Sequence, residues 1–432
     1  MDPAGRGEGA AAGRLRPEIV AVAMLGRCSQ TEGVDQGMNA PEKPKMRIKL
    51  PSVAGKLEEF RLSAPRDFGM AGRKAFNRVA FAAAHVVSDP LALENPWLDA
   101  AVDWDATVAY RRYLWSLGLG VAEAMDTAQR GMGLDWDHSL ELIRRSIEAS
   151  RDIEGAVLFS GAGTDQLAPS AGVTLDEVVA AYEEQCEAIE ALGGRIVLMA
   201  SRALAACARS SDDYQKVYAR ILSQVKHPVI IHWLGEMFDP QLAGYWGEEN
   251  HDRAMNTALA VIEANRAKVD GIKISLLDRQ KEIDMRRRLS QGVRMYTGDD
   301  FNYPELIEGD REGHSDALLG IFDAIAPAAS AALDRLASGD PRGFRDILAP
   351  TVPLARHIFK APTRFYKTGL VFLAWLNGHQ EHFVLVGGQQ SARSVVDLAE
   401  TFRLADAAGL LRDPELAVSR MKQFLAVNGI GG

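Results

Sequence analysis

Eight short apolar segments, spread over residues 78–330, constrain the fold of this chain more than any other feature of its sequence. They alternate with longer amphipathic stretches of helical length. A continuous short apolar run is typical of a strand that is buried on both faces of a parallel sheet. The segments are residues 79–84, 121–125, 155–159, 195–200, 228–231, 269–272, 293–296 and 317–321. Eight strand–helix units in roughly 250 residues predict a (β/α)8 barrel of the α/β class.

The stretches between these segments carry helix start and stop signals. Thr174 is followed three residues later by a glutamate, which is the pattern of a capping box, and Gly193-Gly194 ends the same stretch. The sequence therefore predicts helices over residues 174–192 and 211–225. A doubly wound open sheet is the competing α/β design, but no G-x-G-x-x-G motif follows the first apolar segment.

The two ends of the chain differ from its central region. Residues 1–45 are rich in Gly, Ala and Arg and lack a sustained period, so they are predicted to form a disordered tail. Residues 46–330 are predicted to form the barrel. Residues 331–432 show helical periodicity in several places and are predicted to form a helical extension packed on the barrel.

Composition excludes several classes of partner. The chain has 49 Lys and Arg against 58 Asp and Glu, a net charge of -9, which argues against nucleic-acid binding. No apolar run approaches the ~20 residues that a membrane span requires. The three cysteines show no pairing pattern, which favours a reducing, cytoplasmic location. A small carbonyl compound is the expected partner, in a homo-oligomer (dimer or tetramer) without a cofactor.

Polar residues at the ends of the predicted strands are the candidate site residues, because active sites of such barrels lie at the carboxyl ends of the strands. Asp126 and Asp299 are expected either to bind substrate hydroxyls or to cap helices. Arg130 and Arg202 are expected either to hold an anionic group or to form ion pairs. The full set is His85, Asp126, Thr127, Arg130, Ser201, Arg202, His232, Lys273, Ser275, Asp299 and Asp300.

Lys273 is the most informative of these residues, because it lies inside an apolar strand segment between Ile272 and Ile274. Burial disfavours the charged form of a lysine and so lowers its pKa. A neutral amine can attack a carbonyl carbon and form a Schiff base. The alternative is a lysine at a strand end that pairs with a neighbouring carboxylate, and periodicity alone does not decide between the two.

Three motifs in the same order resemble the dihydrodipicolinate synthase/N-acetylneuraminate lyase superfamily. Gly271-Ile272-Lys273 resembles its catalytic strand, and Gly298-Asp299-Asp300 resembles its glycine–aspartate–aspartate turn at similar spacing. Residues 211–232 follow its fourth helix and fifth strand. The resemblance spans residues 78–330. It implies a divergent dihydrodipicolinate-synthase-like TIM barrel, a class I aldolase or lyase whose reactive amine is Lys273.

Two positions depart from the superfamily pattern. After strand two the superfamily has a glycine-threonine-threonine-glycine-glutamate turn that holds a pyruvate carboxylate, whereas residues 126–131 here keep only Thr127 and Gly131 of it. The proton-shuttling tyrosine of strand five is replaced by His232. A histidine, with an ordinary pKa near ~6.5, is suited to the same work. The alternative is a core histidine bonded to a neighbour.

Three functional hypotheses follow from these residues. The leading one is a Schiff-base lyase or aldolase that acts on a small hydroxylated keto acid or keto sugar, with Lys273 and His232 as catalytic residues. The second is a divalent-metal-dependent lyase or isomerase, although no H-E-x-x-H motif is present. The third is a barrel that binds a small molecule without catalysis. The metal hypothesis would use His85, Asp126, His232, Glu236 and Asp299.

Overall fold

Eight parallel strands close into a barrel in the computed structural model, which describes residues 46–69 and 76–431. The predicted tail lies outside these residues. An antiparallel hairpin, β1 (Arg47–Pro51) and β2 (Leu57–Arg61), precedes the barrel. Each barrel strand pairs with the next one along the chain, and the last closes the ring on the first. They are β3 (Ala80–Ala83), β4 (Gly120–Glu123), β5 (Leu158–Ala162), β6 (Arg195–Leu198), β7 (Val229–Leu234), β8 (Val269–Ser275), β9 (Arg294–Thr297) and β10 (Asp316–Leu319).

Helices surround the barrel and continue beyond it, so the predicted (β/α)8 barrel with a helical C-terminal extension is confirmed. Up to the end of the barrel they are α1 (Trp104–Ser116), α2 (Trp136–Ser150), α3 (Leu175–Ala191), α4 (Arg202–Cys207), α5 (Ser211–Gln224), α6 (His251–Ala264), α7 (Arg279–Arg288), α8 (Tyr303–Glu308), α9 (Ile321–Ala324) and α10 (Ala326–Ala337). Beyond it lie α11 (Pro341–Leu348), α12 (Val352–Ile358), α13 (Tyr366–Leu376), α14 (Val395–Ala407) and α15 (Pro414–Val427).

The predicted capping box at the start of α3 is present. Glu177 donates its backbone N–H to the Thr174 hydroxyl at 3.2 Å, and its carboxylate accepts the Thr174 backbone N–H at 2.7 Å. Two N–H groups that helix formation would leave without partners are therefore satisfied. Of the helices that the structure describes, none has both the length and the apolar character needed to cross a bilayer.

The barrel interior is a separate apolar cluster, distinct from the larger core between the strands and the helices. Side chains from most barrel strands, or from the residues that directly follow them, fill it. The interior cluster consists of Phe81, Ala83, Ala122, Met125, Phe159, Val197, Met199, Ile230, Tyr296 and Leu318. Because successive strand residues alternate between faces, this cluster identifies which later residues of each strand also point inward.

A buried ion pair fixes α1 and α2 against β4. The Arg111 guanidinium donates two hydrogen bonds to the Glu123 carboxylate, both at 2.8 Å, and both side chains are fully buried. Ser146 of α2 donates a further hydrogen bond to Glu123 at 2.6 Å. Two buried charges are tolerated here because each has a partner of opposite sign with good geometry.

The C-terminal helices reach both the hairpin and the carboxyl end of the barrel. Arg403 of α14 donates to the Pro51 carbonyl at 2.9 Å, which ties the hairpin to this region. Helix α13 is buried at every position and contacts α9, which directly follows the last barrel strand. The first residues of α13, Tyr366 and Lys367, are thereby placed beside the mouth of the barrel.

Candidate active site

Lys273 points into the barrel from β8. It is in register with Tyr296 of β9, which belongs to the interior cluster, and neighbours in register share a face of the sheet. Only 7% of its surface is exposed. Burial lowers the pKa of the Lys273 amine, and the carboxyls of Asp300 and Asp126 act in the opposite direction. The surroundings therefore favour the neutral, nucleophilic amine more than water does.

His232 lies directly beside Lys273, as its cross-strand partner on β7. Its Nε2 lies 3.2 Å from the Ser275 hydroxyl, and its Nδ1 is buried without a hydrogen-bond partner in the described chain. Burial, and next the charge of Lys273, hold the pKa of His232 well below its ordinary value. The imidazole is therefore neutral at pH 7 and is able to accept a proton from a group that enters beside Lys273.

His232→Phe is expected to lower turnover by about 100-fold or more, because a positioned general acid or base typically contributes that much. The ring fills a similar volume, so the melting temperature should change little. The measurement is kcat and melting temperature of the two proteins with the same substrate. Turnover equal to that of the wild type would place His232 among the packing residues.

The two aspartates after β9 have different surroundings. The Asp299 carboxylate accepts the backbone N–H groups of Phe301 and Asn302 and the Asn302 side-chain amide, at 2.8–3.1 Å. These bonds hold the turn that precedes α8, and the N-cap residue of that helix is Asn302 rather than Asp299. Asp300 accepts the Ile321 backbone N–H at 2.8 Å, and burial raises the pKa of its carboxyl to about 7. Of the two, Asp300 is the carboxyl whose charge reaches Lys273.

The loop after β4 contributes one open carboxylate and one contact to the C-terminal region. Asp126 lines the cavity above the strands, and no hydrogen bond to its carboxylate occurs among the described residues. The Thr127 hydroxyl lies 2.8 Å from the Tyr366 hydroxyl of α13. The Thr127 side chain is therefore directed to a helix outside the barrel.

The next candidate in this loop, Arg130, is engaged by the protein. It pairs with Asp165 at 2.6 Å, and its other donors reach the Gln185 side chain and the Gly161 carbonyl. Its guanidinium also stacks over Trp136, 5.0 Å from the ring centroid. Of the two expectations for Arg130, the ion pair is present, although it is buried rather than at the surface.

The two candidates after β6 also separate into different environments. The Ser201 hydroxyl accepts the Leu204 backbone N–H at 2.9 Å and so caps α4, while it also contacts the Thr164 hydroxyl at 2.6 Å. Arg202 lines the cavity and pairs with Asp239 through its Nε. Ser201 thus has a local role in the helix, whereas Arg202 keeps part of its guanidinium toward the cavity.

The residues considered as metal ligands do not come together. His85 is packed against Tyr110 and is bonded through Nδ1 to Asp323 at 2.8 Å. Glu236 pairs instead with His251 at 3.3 Å. Within residues 46–69 and 76–431, no group of three or more His, Cys, Asp or Glu side chains is arranged to hold a metal ion. These residues were the ligands of the alternative metal hypothesis, and tertiary packing gives His85, Glu236 and Asp299 local partners instead.

A cavity at the carboxyl ends of the strands joins the remaining candidates. Its wall includes Asp126, Arg202 and His232, and Lys273 is the buried cross-strand neighbour of His232 on β8. The other polar residues of its wall are Arg130, Thr164, Asp165 and Asp239. The apolar and small lining residues are Gly163, Leu167, Pro169, Met199, Ala200, Leu234 and Leu242.

A known family covers almost all of this architecture. Residues 48–430 match the family model described as a protein of unknown function (DUF993). The chain belongs to the DUF993 family. No curated protein sequence matches this DUF993 protein.

Solved structures of dihydrodipicolinate synthases share the fold of this DUF993 protein, so the resemblance drawn from the motifs is confirmed for the fold. Dihydrodipicolinate synthase from Aquifex aeolicus is 12% identical with a TM-score of 0.58, over 78% of this chain and 100% of that one. The chloride-inhibited synthase from Acinetobacter baumannii, complexed with pyruvate, is 15% identical with a TM-score of 0.54, over 77% and 99%. A prophage protein of the dihydrodipicolinic acid synthase family from E. coli K12, in complex with pyruvate, is 13% identical with a TM-score of 0.55, over 82% of this chain and 100% of that one.

The sequence patterns of this DUF993 protein did not identify two residues that lie near the site. Tyr366 and Lys367 begin α13, far along the chain from the barrel strands, and both are buried near Asp126. The sequence offered a lysine within a helix, which is normally solvated on an exposed face. Only the apolar run that follows it, residues 369–376, indicated that this helix would be buried.

Proposed function

We propose that this chain is a Schiff-base-forming lyase or aldolase that acts on a small hydroxylated keto acid or keto sugar through Lys273. One observation carries the proposal. A buried lysine whose amine is biased toward its neutral form lies beside a neutral histidine, and that histidine lines a polar cavity. A perturbed lysine in a cleft with a neighbouring base is the arrangement that amine catalysis requires.

The chemistry balances with groups of the chain. The neutral Lys273 amine attacks the substrate carbonyl carbon, and the resulting carbinolamine takes up one proton and loses water to give an iminium ion. Asp300 is suited to supply that proton, because its pKa of about 7 keeps a fraction of the carboxyl protonated at neutral pH. The iminium ion then accepts the electron pair of an adjacent C–H or C–C bond, and His232 accepts the released proton.

Borohydride trapping tests this proposal. The wild-type protein is incubated with a panel of keto acids and keto sugars, reduced with borohydride and measured by intact mass. We expect the mass to rise by one reduced substrate adduct, which peptide mapping assigns to Lys273 rather than to Lys367. If no carbonyl compound of the panel adds mass to the protein, the Schiff-base function is rejected.

A further inference from the structure

We propose that Arg202 and Lys367 form an anion subsite at the mouth of the barrel, so that the substrate carries a carboxylate or phosphate group. This inference rests on the proposed function in one respect, because it narrows the class of carbonyl compound that reaches Lys273. It also concerns residues outside the superfamily's motifs, since Lys367 belongs to a helix beyond the barrel.

Arg202 keeps unused hydrogen-bond donors at the cavity. Its Nε is engaged by Asp239, whereas its two terminal nitrogens have no acceptor within the part of the chain that the structure describes. Gly131 makes this placement possible, since a Cβ there would lie 2.5 Å from the Arg202 Nη1. A planar guanidinium with both Nη groups available can hold a carboxylate or phosphate with two parallel hydrogen bonds.

The other arginine of the cavity cannot take this role. The donors of Arg130 are directed to Asp165, to Gln185 and to backbone carbonyls, so a ligand would have to displace a buried ion pair. Breaking a buried pair is costly because one charge is left without compensation. The sequence left open, for each arginine, whether it holds an anion or forms an ion pair; both form an ion pair, and only Arg202 keeps its terminal nitrogens without an acceptor in the described residues.

Lys367 adds a second cation with an incomplete set of partners. It is 5% exposed, and its ammonium donates to the Arg364 carbonyl at 2.9 Å and contacts the Met132 sulfur at 3.2 Å. It forms no ion pair within 4.0 Å with any carboxylate of the described residues. Its ammonium also lies over the Tyr366 ring, 4.7 Å from the ring centroid. These contacts include only one oxygen acceptor and no anion for three N–H donors, and an oxyanion would supply the missing negative charge.

Lys367 and Arg202 border the same segment of the loop after β4, because the Lys367 ammonium contacts the Met132 sulfur and the Arg202 Nη1 lies against Gly131. Burial lowers the pKa of Lys367 to about 8; the charges of Asp126 and Asp239 oppose this, and those of Arg202 and Arg364 add to it. Asp126, Arg202 and Asp239 all line the cavity. An anion bound between Arg202 and Lys367 would favour the charged lysine, so binding is expected to take up protons above about pH 8.

Binding of oxalate and of inorganic phosphate, measured by titration calorimetry, tests the subsite without any covalent step. Neither probe can form an imine. We expect Arg202→Gln and Lys367→Met each to weaken binding of the preferred probe by about tenfold or more, because a hydrogen bond to a charged group is lost. The probe that binds the wild type more tightly identifies the group as a carboxylate or a phosphate.

Matched controls separate this effect from general changes in charge or folding. Arg112→Gln and Lys422→Met remove equivalent charges from exposed positions and are expected to leave binding unchanged. Melting temperatures of all four variants report whether each one is folded. Lys367→Met retains most of the side-chain volume, and Arg202→Gln retains an amide donor for Asp239.

The outcomes distinguish this inference from the proposed function. Binding of a probe by the wild type that weakens in both site variants supports the subsite, even if borohydride traps no carbonyl compound. Equal binding in the wild type and the site variants, or no binding of either probe by the wild type, overturns the subsite. In that case, trapping of neutral hydroxyacetone on Lys273 would still support the Schiff-base function.

Discussion

Lys273→Arg is expected to lower turnover by at least about 1,000-fold and to abolish borohydride-dependent addition of substrate mass, which is an effect of the size seen when a catalytic nucleophile is lost. Arginine retains the positive charge near Asp126 and Asp300, but its guanidinium stays protonated and cannot form the imine. The measurements are kcat with a substrate that traps on the wild type, and intact mass after reduction. If the Lys273→Arg variant still gains substrate mass on reduction, another lysine forms the imine, and Lys367 is the next candidate.

The pH dependence of trapping gives a second test of the same amine. An ordinary lysine has a pKa near ~10.4, and burial lowers that of Lys273. Because the protonated amine is not nucleophilic, the trapping rate should fall as pH falls through the Lys273 pKa, and this fall should occur at a lower pH than for an ordinary lysine. Of the facing groups, Asp126 and Asp300 raise this pKa and His232 is neutral.

Asp300→Asn sharpens that test. The Asp300 carboxylate raises the pKa of Lys273. Its removal should therefore lower that pKa, so that the trapping rate falls at a lower pH than in the wild type. Asn retains an oxygen that can accept the Ile321 N–H, so the fold at the end of β9 should be preserved. If the trapping rate of the variant falls at a higher pH than that of the wild type, the Asp300 carboxylate does not raise the pKa of Lys273.

Glu123→Ala is expected to lower the free energy of unfolding by about 3–5 kcal/mol, which is typical when one partner of a buried ion pair is removed. The variant leaves the Arg111 guanidinium buried without its carboxylate and leaves Ser146 without its acceptor. Both ion-pair side chains are fully buried, so water cannot replace the lost partner. Denaturant unfolding of the wild type and the variant measures the difference.

Two controls belong to this experiment. The double variant Arg111→Met with Glu123→Leu removes both charges and is expected to recover much of the loss, as replacement of a buried pair by apolar residues often does. Glu148→Ala removes a partner of the exposed Arg144 and should change stability by less than about 1 kcal/mol. An equal effect of Glu123→Ala and Glu148→Ala would show that the buried pair does not hold α1 and α2 in place.

Local sequence patterns were sufficient to predict the barrel and the burial of Lys273. The eight apolar segments correspond to β3–β10, because a strand buried on both faces can be recognised from its own residues. The capping box at Thr174 was likewise predictable, since its partners are three residues apart. A lysine within an apolar segment also indicated the burial of Lys273, because the flanking residues determine the environment of a strand side chain.

The partners of the polar side chains were decided only by the tertiary structure. Asp126, Arg130, Arg202 and Asp299 all lie at the same edge of the barrel. Asp299 and Arg130 bind other residues of the chain, whereas Asp126 and Arg202 keep hydrogen-bonding atoms available to the cavity. Lys367 reaches this edge only because α13 packs on α9. Hydrophobic periods of two and 3.6 residues indicate which face of a strand or helix is buried. The sequence by itself therefore determined where the strands and helices lie and that Lys273 is buried. These periods carry no information about which distant segment covers that face, and for this reason packing alone decided the composition of the site.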